Sequence, residues 1–183
     1  MAVQVIASSY SDGPTLTAAA AASCVPTYVP TSIPAGYWQI GRQWRISASG
    51  RISCVVTTPG TARYDLRMGA VTAFDTLAIP LNVVAKTNVS WWLDVLLTCR
   101  SVGTGVSATL FGQGWWRSEA NILTALPATG PGPGGASVPF NTPPVVGTGF
   151  DSTIANALDF RFTQTVATGS MTMHQFLIEQ LTP

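Results

Sequence analysis

Apolar and polar side chains alternate one by one through most of this chain, a period of two that extended backbone satisfies when one face lies on a core. Trp44, Ile46, Ala48, Ile52, Cys54 and Val56 share one parity, and Arg45, Ser47, Ser49, Arg51 and Ser53 the other. One long strand, or two around a bend at Gly50, explains the pattern. After Thr58-Pro59-Gly60-Thr61 it resumes with Tyr64, Leu66 and Met68 inward and Arg63, Asp65 and Arg67 outward, which predicts a hairpin with Arg51 opposite Asp65.

Residues 88–100 alternate again, with Val89, Trp91, Leu93, Val95, Leu97 and Cys99 inward and Ser90, Asp94, Thr98 and Arg100 outward. A turn at Val102-Gly103-Thr104-Gly105 leads to a strand over 106–116, where Gly112 and Gly114 mark a bulge or a close backbone approach. Leu158, Phe160 and Phe162 alternate with Asp159, Arg161 and Thr163, and Ala167-Thr168-Gly169 turns into a last strand over 171–181. That strand is apolar on both parities, with Met171, Met173 and Leu177 on one and Phe176 and Ile178 on the other. It is therefore either central in a sheet or in contact with a neighbouring subunit.

Two segments break the alternation. Ser11-Asp12-Gly13-Pro14, followed by a run with five consecutive alanines, offers a cap, a first-turn proline and strong helix formers, which predicts a short helix within the N-terminal segment 1–43. Residues 126–149 are dominated by proline and glycine and are expected to form a long loop or arm. About eight strands with closely spaced turns and one Pro/Gly excursion predict a single all-β domain over 1–183, an antiparallel β-sandwich of jelly-roll type with one short N-terminal helix.

Charge is scarce. Nine basic and eight acidic residues in 183 give a net charge of +1, while 46% of the chain is hydrophobic. An ordinary domain is about a quarter charged, so apolar area is expected to remain outside a filled core, and such area usually meets a partner. No basic patch suits phosphate neutralisation, so nucleic acid is not an expected partner. No apolar run approaches the roughly 20 residues of a membrane span. Met1-Ala2-Val3-Gln4 carries no positive n-region, so no secretory signal is expected. Cys24, Cys54 and Cys99 are too few and too widely spaced for a zinc site or a disulfide framework, and read as reduced, buried thiols, with a Cys54–Cys99 bridge as the alternative.

A search for catalytic chemistry finds little to build on. His174 is the only histidine, has no acidic neighbour in sequence, and would need Asp159 or Asp94 plus a nucleophile, yet no Gly-x-Ser-x-Gly elbow exists. The carboxylates Asp12, Asp65, Asp75, Asp94, Asp151, Asp159, Glu119 and Glu179 mostly sit at outward strand positions beside an arginine or at strand ends, where ion pairs are expected. Neither a His/Cys cluster nor an Asp-rich calcium loop is present, so neither metal nor cofactor is expected. Asn88-Val89-Ser90 matches a glycosylation acceptor by chance, and Gly112-Gln113-Gly114 is too short for a phosphate loop. The chain is read as a non-enzyme.

The doublets Trp91-Trp92 and Trp115-Trp116 each put one ring on either face of a strand. One ring fills the core, and the other packs under a loop, meets a subunit or offers a stacking platform to a sugar. The residues flanking the doublets do not supply the Asp, Asn and Arg cluster that accompanies a carbohydrate platform, so core or interface is the preferred reading. Candidate interface residues are Trp92, Trp115, Met171, Met173, Phe176 and Ile178.

Several blocks carry a likeness: Trp44-Arg45-Ile46-Ser47-Ala48-Ser49-Gly50-Arg51-Ile52-Ser53, Thr57-Thr58-Pro59-Gly60-Thr61-Ala62-Arg63, Leu96-Leu97-Thr98-Cys99-Arg100-Ser101-Val102-Gly103-Thr104, and the run from Phe150-Asp151-Ser152-Thr153 through Phe162-Thr163-Gln164-Thr165-Val166-Ala167-Thr168-Gly169-Ser170. In these the chain resembles small virion proteins from the structural gene clusters of tailed bacteriophages. The resemblance implies a jelly-roll subunit on the outside of the particle, a homotrimer that clamps or decorates the lattice of the major capsid protein. It brings no catalytic residues. The doubled tryptophans and the Pro/Gly arm depart from the family's pattern, and the alternative they leave is a receptor-binding or tail-fibre-tip module that recognises a host surface glycan.

Overall fold

The computed structural model describes residues 3–29, 32–122 and 134–181, and among them every regular element is a β-strand. All pairings are antiparallel, in two sheets. The longer sheet runs β1 (Gln4–Ser8), β12 (Ser170–Gln180), β4 (Gln43–Cys54), β8 (Lys86–Ser101), β9 (Thr109–Ser118) and β10 (Gly134–Val138). The second runs β2 (Ala22–Ser23), β11 (Asn156–Gln164), β5 (Thr61–Met68) and β6 (Val71–Asp75), with β3 (Ser32–Ile33) beside β11 and β7 (Ile79–Pro80) beside β5.

The alternation explains why the sheets face each other. Even positions of β4, Trp44 to Cys54, and odd positions of β8, Trp91 to Cys99, point inward and are buried against Tyr64, Leu66, Phe160 and Phe162 of the second sheet. Aromatic rings join the layers: Tyr64 lies 4.9 Å from Trp91, and Phe160 lies 5.4 Å from Phe176. Offset ring pairs of this kind add stability beyond the area they bury.

β4 is one unbroken strand, but it does not form a hairpin with β5. Thr57 (φ 71°) and Gly60 (φ 73°) take left-handed conformations that carry the chain across to the second sheet instead. Arg51 consequently faces Ser90 and Thr172. Asp65 is buried and pairs with Arg67 at 2.6 Å.

The two-faced apolar pattern of the last strand has a local cause. β12 pairs with β4 as Met173 to Gly50 and then Gln175 to Ser49, so His174 is the extra residue of a bulge and side-chain parity inverts there. Met171 and Met173 before it, and Phe176 and Ile178 after it, therefore all face the core and are buried. These four candidates are not available as a subunit interface in the folded chain; Leu177 and Gln175 take the outward positions.

The predicted N-terminal helix is absent. Ser9 and Gly13 donate to the carbonyls of Phe176 and Met173, and Leu16 both donates to and accepts from Met171, so the segment continues β1 along the free edge of β12. Residues 17–21 then bend across to β2, a span too short to nucleate a helix against those edge bonds. Tertiary pairing overrides the propensity of the alanines.

The described part of the Pro/Gly segment, residues 134–149, is paired to its neighbours and does not stand out as an arm. Residues 126–133 lie outside the described residues, but Gly134–Val138 forms β10 on the edge of β9. Beyond it, Phe140 donates to the Thr76 carbonyl and Gly147 to the Leu110 carbonyl. A Cβ at Gly147 would stand 1.9 Å from the Ala73 oxygen, so this stretch is seated tightly between the edges of the two sheets.

Candidate functional site

Residues that face away from the core on the longer sheet line up in rows across its strands. One row runs Gln175, Ser49, Trp92, Arg117; the next runs Leu177, Ser47, Asp94, Trp115, Ser137; a third runs Glu179, Arg45, Leu96, Gln113. Trp92 and Trp115 are thus diagonal neighbours, 51% and 50% exposed, while their sequence neighbours Trp91 and Trp116 are buried. Between β8, β9 and β10 these side chains line an open groove of about 820 Å³, and a second hollow of about 500 Å³ continues past Trp92 toward Gln175 and Glu179.

The glycines of β9 make this surface possible. A Cβ at Gly114 would stand 2.1 Å from the Asp94 carbonyl oxygen, and one at Gly112 would collide with Phe74 and Leu97. At Gly114 the missing Cβ lets β9 approach the β8 backbone closely beside Asp94, and at Gly112 it makes room for the Phe74 and Leu97 side chains in the core, the close approach expected for these positions.

Asp94 is held in place rather than free. The Arg45 Nε donates to both of its oxygens at 3.1 Å, Nη2 closes a second bond to Oδ2, and hydrogen bonding to Asp94 raises the Arg45 pKa above its ordinary value. The Ser49 hydroxyl donates to Gln175 Oε1 at 2.9 Å. Arg100 lies over the Phe111 ring at 4.8 Å. Among the described residues neither Arg100 nor Arg117 has a carboxylate at ion-pair distance. The face therefore combines two flat apolar rings, amides and hydroxyls, and the guanidinium groups of Arg100 and Arg117 at the groove, with exposed Arg51 one row beyond Trp92. Such a surface binds through stacking and hydrogen bonding.

No family model, curated protein or solved structure matches this chain. What the site does is read from its own geometry.

The remaining candidates for chemistry are scattered. His174 Nδ1 lies 2.7 Å from Asp12 Oδ1, a partner 162 residues away in sequence, brought near because the N-terminal segment runs along β12. No Ser, Thr or Cys joins that pair by a hydrogen bond among the described residues. Asp75 and Asp159 pair with Arg63 and Arg161, so with Asp65 and Asp94 they serve ion pairs within their sheets. Asp151 holds a turn, accepting from the Thr153 hydroxyl at 2.6 Å and its N–H at 2.8 Å; with the Gly105 N–H these bonds keep its carboxyl below the usual range. Among the described residues no three His, Cys, Asp or Glu side chains converge to hold a metal.

Cys24, Cys54 and Cys99 are free and buried. Cys54 and Cys99 sit on adjacent strands, but at opposite ends of the β4–β8 ladder, which pairs Cys54 with Lys86 and Gln43 with Thr98. Burial pushes all three thiols up from their ordinary pKa.

Sequence reasoning weighed each tryptophan against its immediate chain neighbours and found no cluster of polar partners. The polar partners come from across the strands: Arg117 beside Trp92, Asp94 beside Trp115, Gln113 beside Leu96. The available signal was parity, since Trp92, Asp94 and Leu96 share one outward set and Gln113, Trp115 and Arg117 another.

Proposed function

We propose that this chain is a non-catalytic structural subunit of a tailed-bacteriophage virion, a jelly-roll capsid decoration protein that stabilises the head lattice as a homotrimer. The topology supports the jelly-roll reading. β1 pairs β12, β2 pairs β11, β4 pairs β8 and β5 pairs β6, which is one antiparallel ribbon with nested partners; the added pairings of β12 with β4 and β11 with β5 coil it into two four-stranded layers. β9 and β10 widen one layer.

The observation that carries the docking role is an apolar end of the sandwich. The Cys54 S–H points at the carbonyls of Asn82 and Val84 in the loop after β7, at 3.5 and 3.9 Å, and Asn82 and Ile122 are tied to neighbouring backbone there. The loops gathered at this end carry exposed Val56, Val83, Val84 and Ile122. Four β-branched side chains in water favour burial against another subunit or the shell, at about 25 cal/mol per Å² of area removed from solvent. Mechanically, the subunit would add contact area across capsomer boundaries and raise the barrier to bursting. Particles assembled without this protein are expected to release DNA at a lower temperature than complete particles, and equal heat and osmotic resistance would overturn the reading.

The second reading, a receptor-binding or tail-fibre-tip module, is favoured by the groove at Trp92 and Trp115, whose chemistry is independent of where on the virion the subunit sits.

A further inference from the structure

We propose that the groove between Trp92 and Trp115 is a binding site for an anionic saccharide, a sugar chain whose rings carry a carboxylate or are joined through phosphate. Three features of the face converge on this ligand.

The two exposed indoles lie on adjacent strands, one row apart, and so offer platforms for successive rings of a chain rather than one buried slot. The apolar C–H face of a pyranose packs on such a ring while its hydroxyls stay in water, which suits a ring that is half exposed. A groove of about 820 Å³ also falls within the range of small-ligand sites.

Planar hydrogen-bonding groups surround the rings. Asp94, fixed by Arg45, keeps an acceptor edge beside Trp115, and Gln113, Thr98 and Ser137 add amide and hydroxyl groups to the same wall. A side chain already held in position loses little entropy on binding, so the Arg45–Asp94 pair preorganises the site.

The charge then selects among sugars. Asp94 is neutralised by Arg45, whereas Arg100 and Arg117 border the groove with no carboxylate partner among the described residues. A guanidinium fork matches carboxylate and phosphate oxygens in a bidentate manner. An excess of arginines, Arg45, Arg51, Arg100 and Arg117 against Asp94 and Glu179, disfavours a second copy of this face as the occupant, because a two-fold contact would set that excess against itself. Two arginines in a chain of net charge +1 are too few to hold a nucleic acid backbone.

The test is binding of the full-length protein to immobilised bacterial glycans. The panel contains uronic-acid polysaccharides with their carboxyl-reduced counterparts, phosphodiester-linked glycans, and neutral glycans. The expected result is retention of acidic members with at least tenfold weaker binding of their carboxyl-reduced forms; the phosphodiester arm reveals which oxyanion is preferred. Trp92→Ala and Trp115→Ala abolish retention. Arg117→Gln erases the preference for acidic members, and Lys86→Gln, which removes an equal charge at the far end of β8 beside Cys54, leaves it intact. Equal binding of acidic and carboxyl-reduced forms overturns the anionic selectivity. Failure to bind any member, or self-association that Trp92→Ala dissolves, overturns the saccharide site, while the particle-stability experiment above reports separately on the decoration role.

Discussion

Gly50 on β4 lies directly under Thr172 on β12, so close that a Cβ at Gly50 would stand 2.0 Å from the Thr172 carbonyl oxygen and 2.9 Å from the Met173 Cα. This contact sits where the bulge at His174 bends β12 toward its neighbour. The obstacle is backbone rather than a side chain that can swing away. Gly50→Ala is expected to cost about 3 kcal/mol, at the upper end of overpacking penalties, read as a lowered midpoint in chemical denaturation. A wild-type midpoint for this variant would mean that the two strands are not this close.

The bulge itself can be tested by removing its extra residue. Deleting His174 joins Met173, opposite Gly50, directly to Gln175, opposite Ser49, so plain alternation then keeps Met171, Met173, Phe176 and Ile178 on the core face, whereas deleting both His174 and Gln175 turns Phe176 and Ile178 outward. The single deletion is expected to fold with a native circular dichroism spectrum and the double deletion to be insoluble or unfolded; the reverse order would place the extra residue elsewhere. His174→Ala, which keeps the count and loses only the contact with Asp12, should change stability by less than about 1 kcal/mol.

These two residues also mark where the sequence was legible and where it was not. Alternation alone identified the strand cores of β4, β8, β9 and β11, because a one-sided burial pattern is written in the residues themselves. It could not show that β4 and β5 belong to different sheets, since a turn with left-handed Thr57 and Gly60 looks the same whether the chain folds back or crosses over. It misread β12 because one inserted residue inverts parity without any change in composition. The alanine run was judged by propensity, while the edge bonds that claim Leu16 come from Met171, 155 positions away. For the candidate site, the tryptophan faces were legible and their polar surroundings were not, because Arg117 and Asp94 become neighbours of Trp92 and Trp115 only through strand register.

The tryptophan doublet on β9 gives a sharp contrast within two adjacent residues. Trp116 is fully buried, with its ring 6.4 Å from that of Tyr64, and Trp116→Ala is expected to cost about 3–5 kcal/mol through lost burial and the cavity left behind. Trp115 is half exposed, and Trp115→Ala should shift stability by less than about 1 kcal/mol. Thermal denaturation of both variants checks the assignment of faces, and the reverse order of effects would mean that β9 presents the opposite side to the core.

Alkaline pH should weaken the fold through its buried thiols, most clearly through Cys24. Burial, reinforced by the negative charge of Asp159, pushes the Cys24 thiol well above its ordinary value of 9.0, and its S–H donates to the Phe160 carbonyl at 3.2 Å. In the unfolded chain the same thiol loses its proton as pH passes 9, while the folded protein retains it. The unfolded state then binds fewer protons than the folded one, so stability declines as pH rises, by about 1.4 kcal/mol per pH unit for each such group. Cys54 and Cys99 are shifted in the same direction by burial and add to the decline, and Tyr64 joins at higher pH. Cys24→Ala removes one of these contributions. Under reducing conditions its unfolding free energy between pH 9.5 and about 11 should fall less steeply than that of the wild type, by about 1.4 kcal/mol per pH unit, whatever its stability at neutral pH. Parallel slopes for the two proteins would show that Cys24 ionises in the folded state and is not sealed beneath β11.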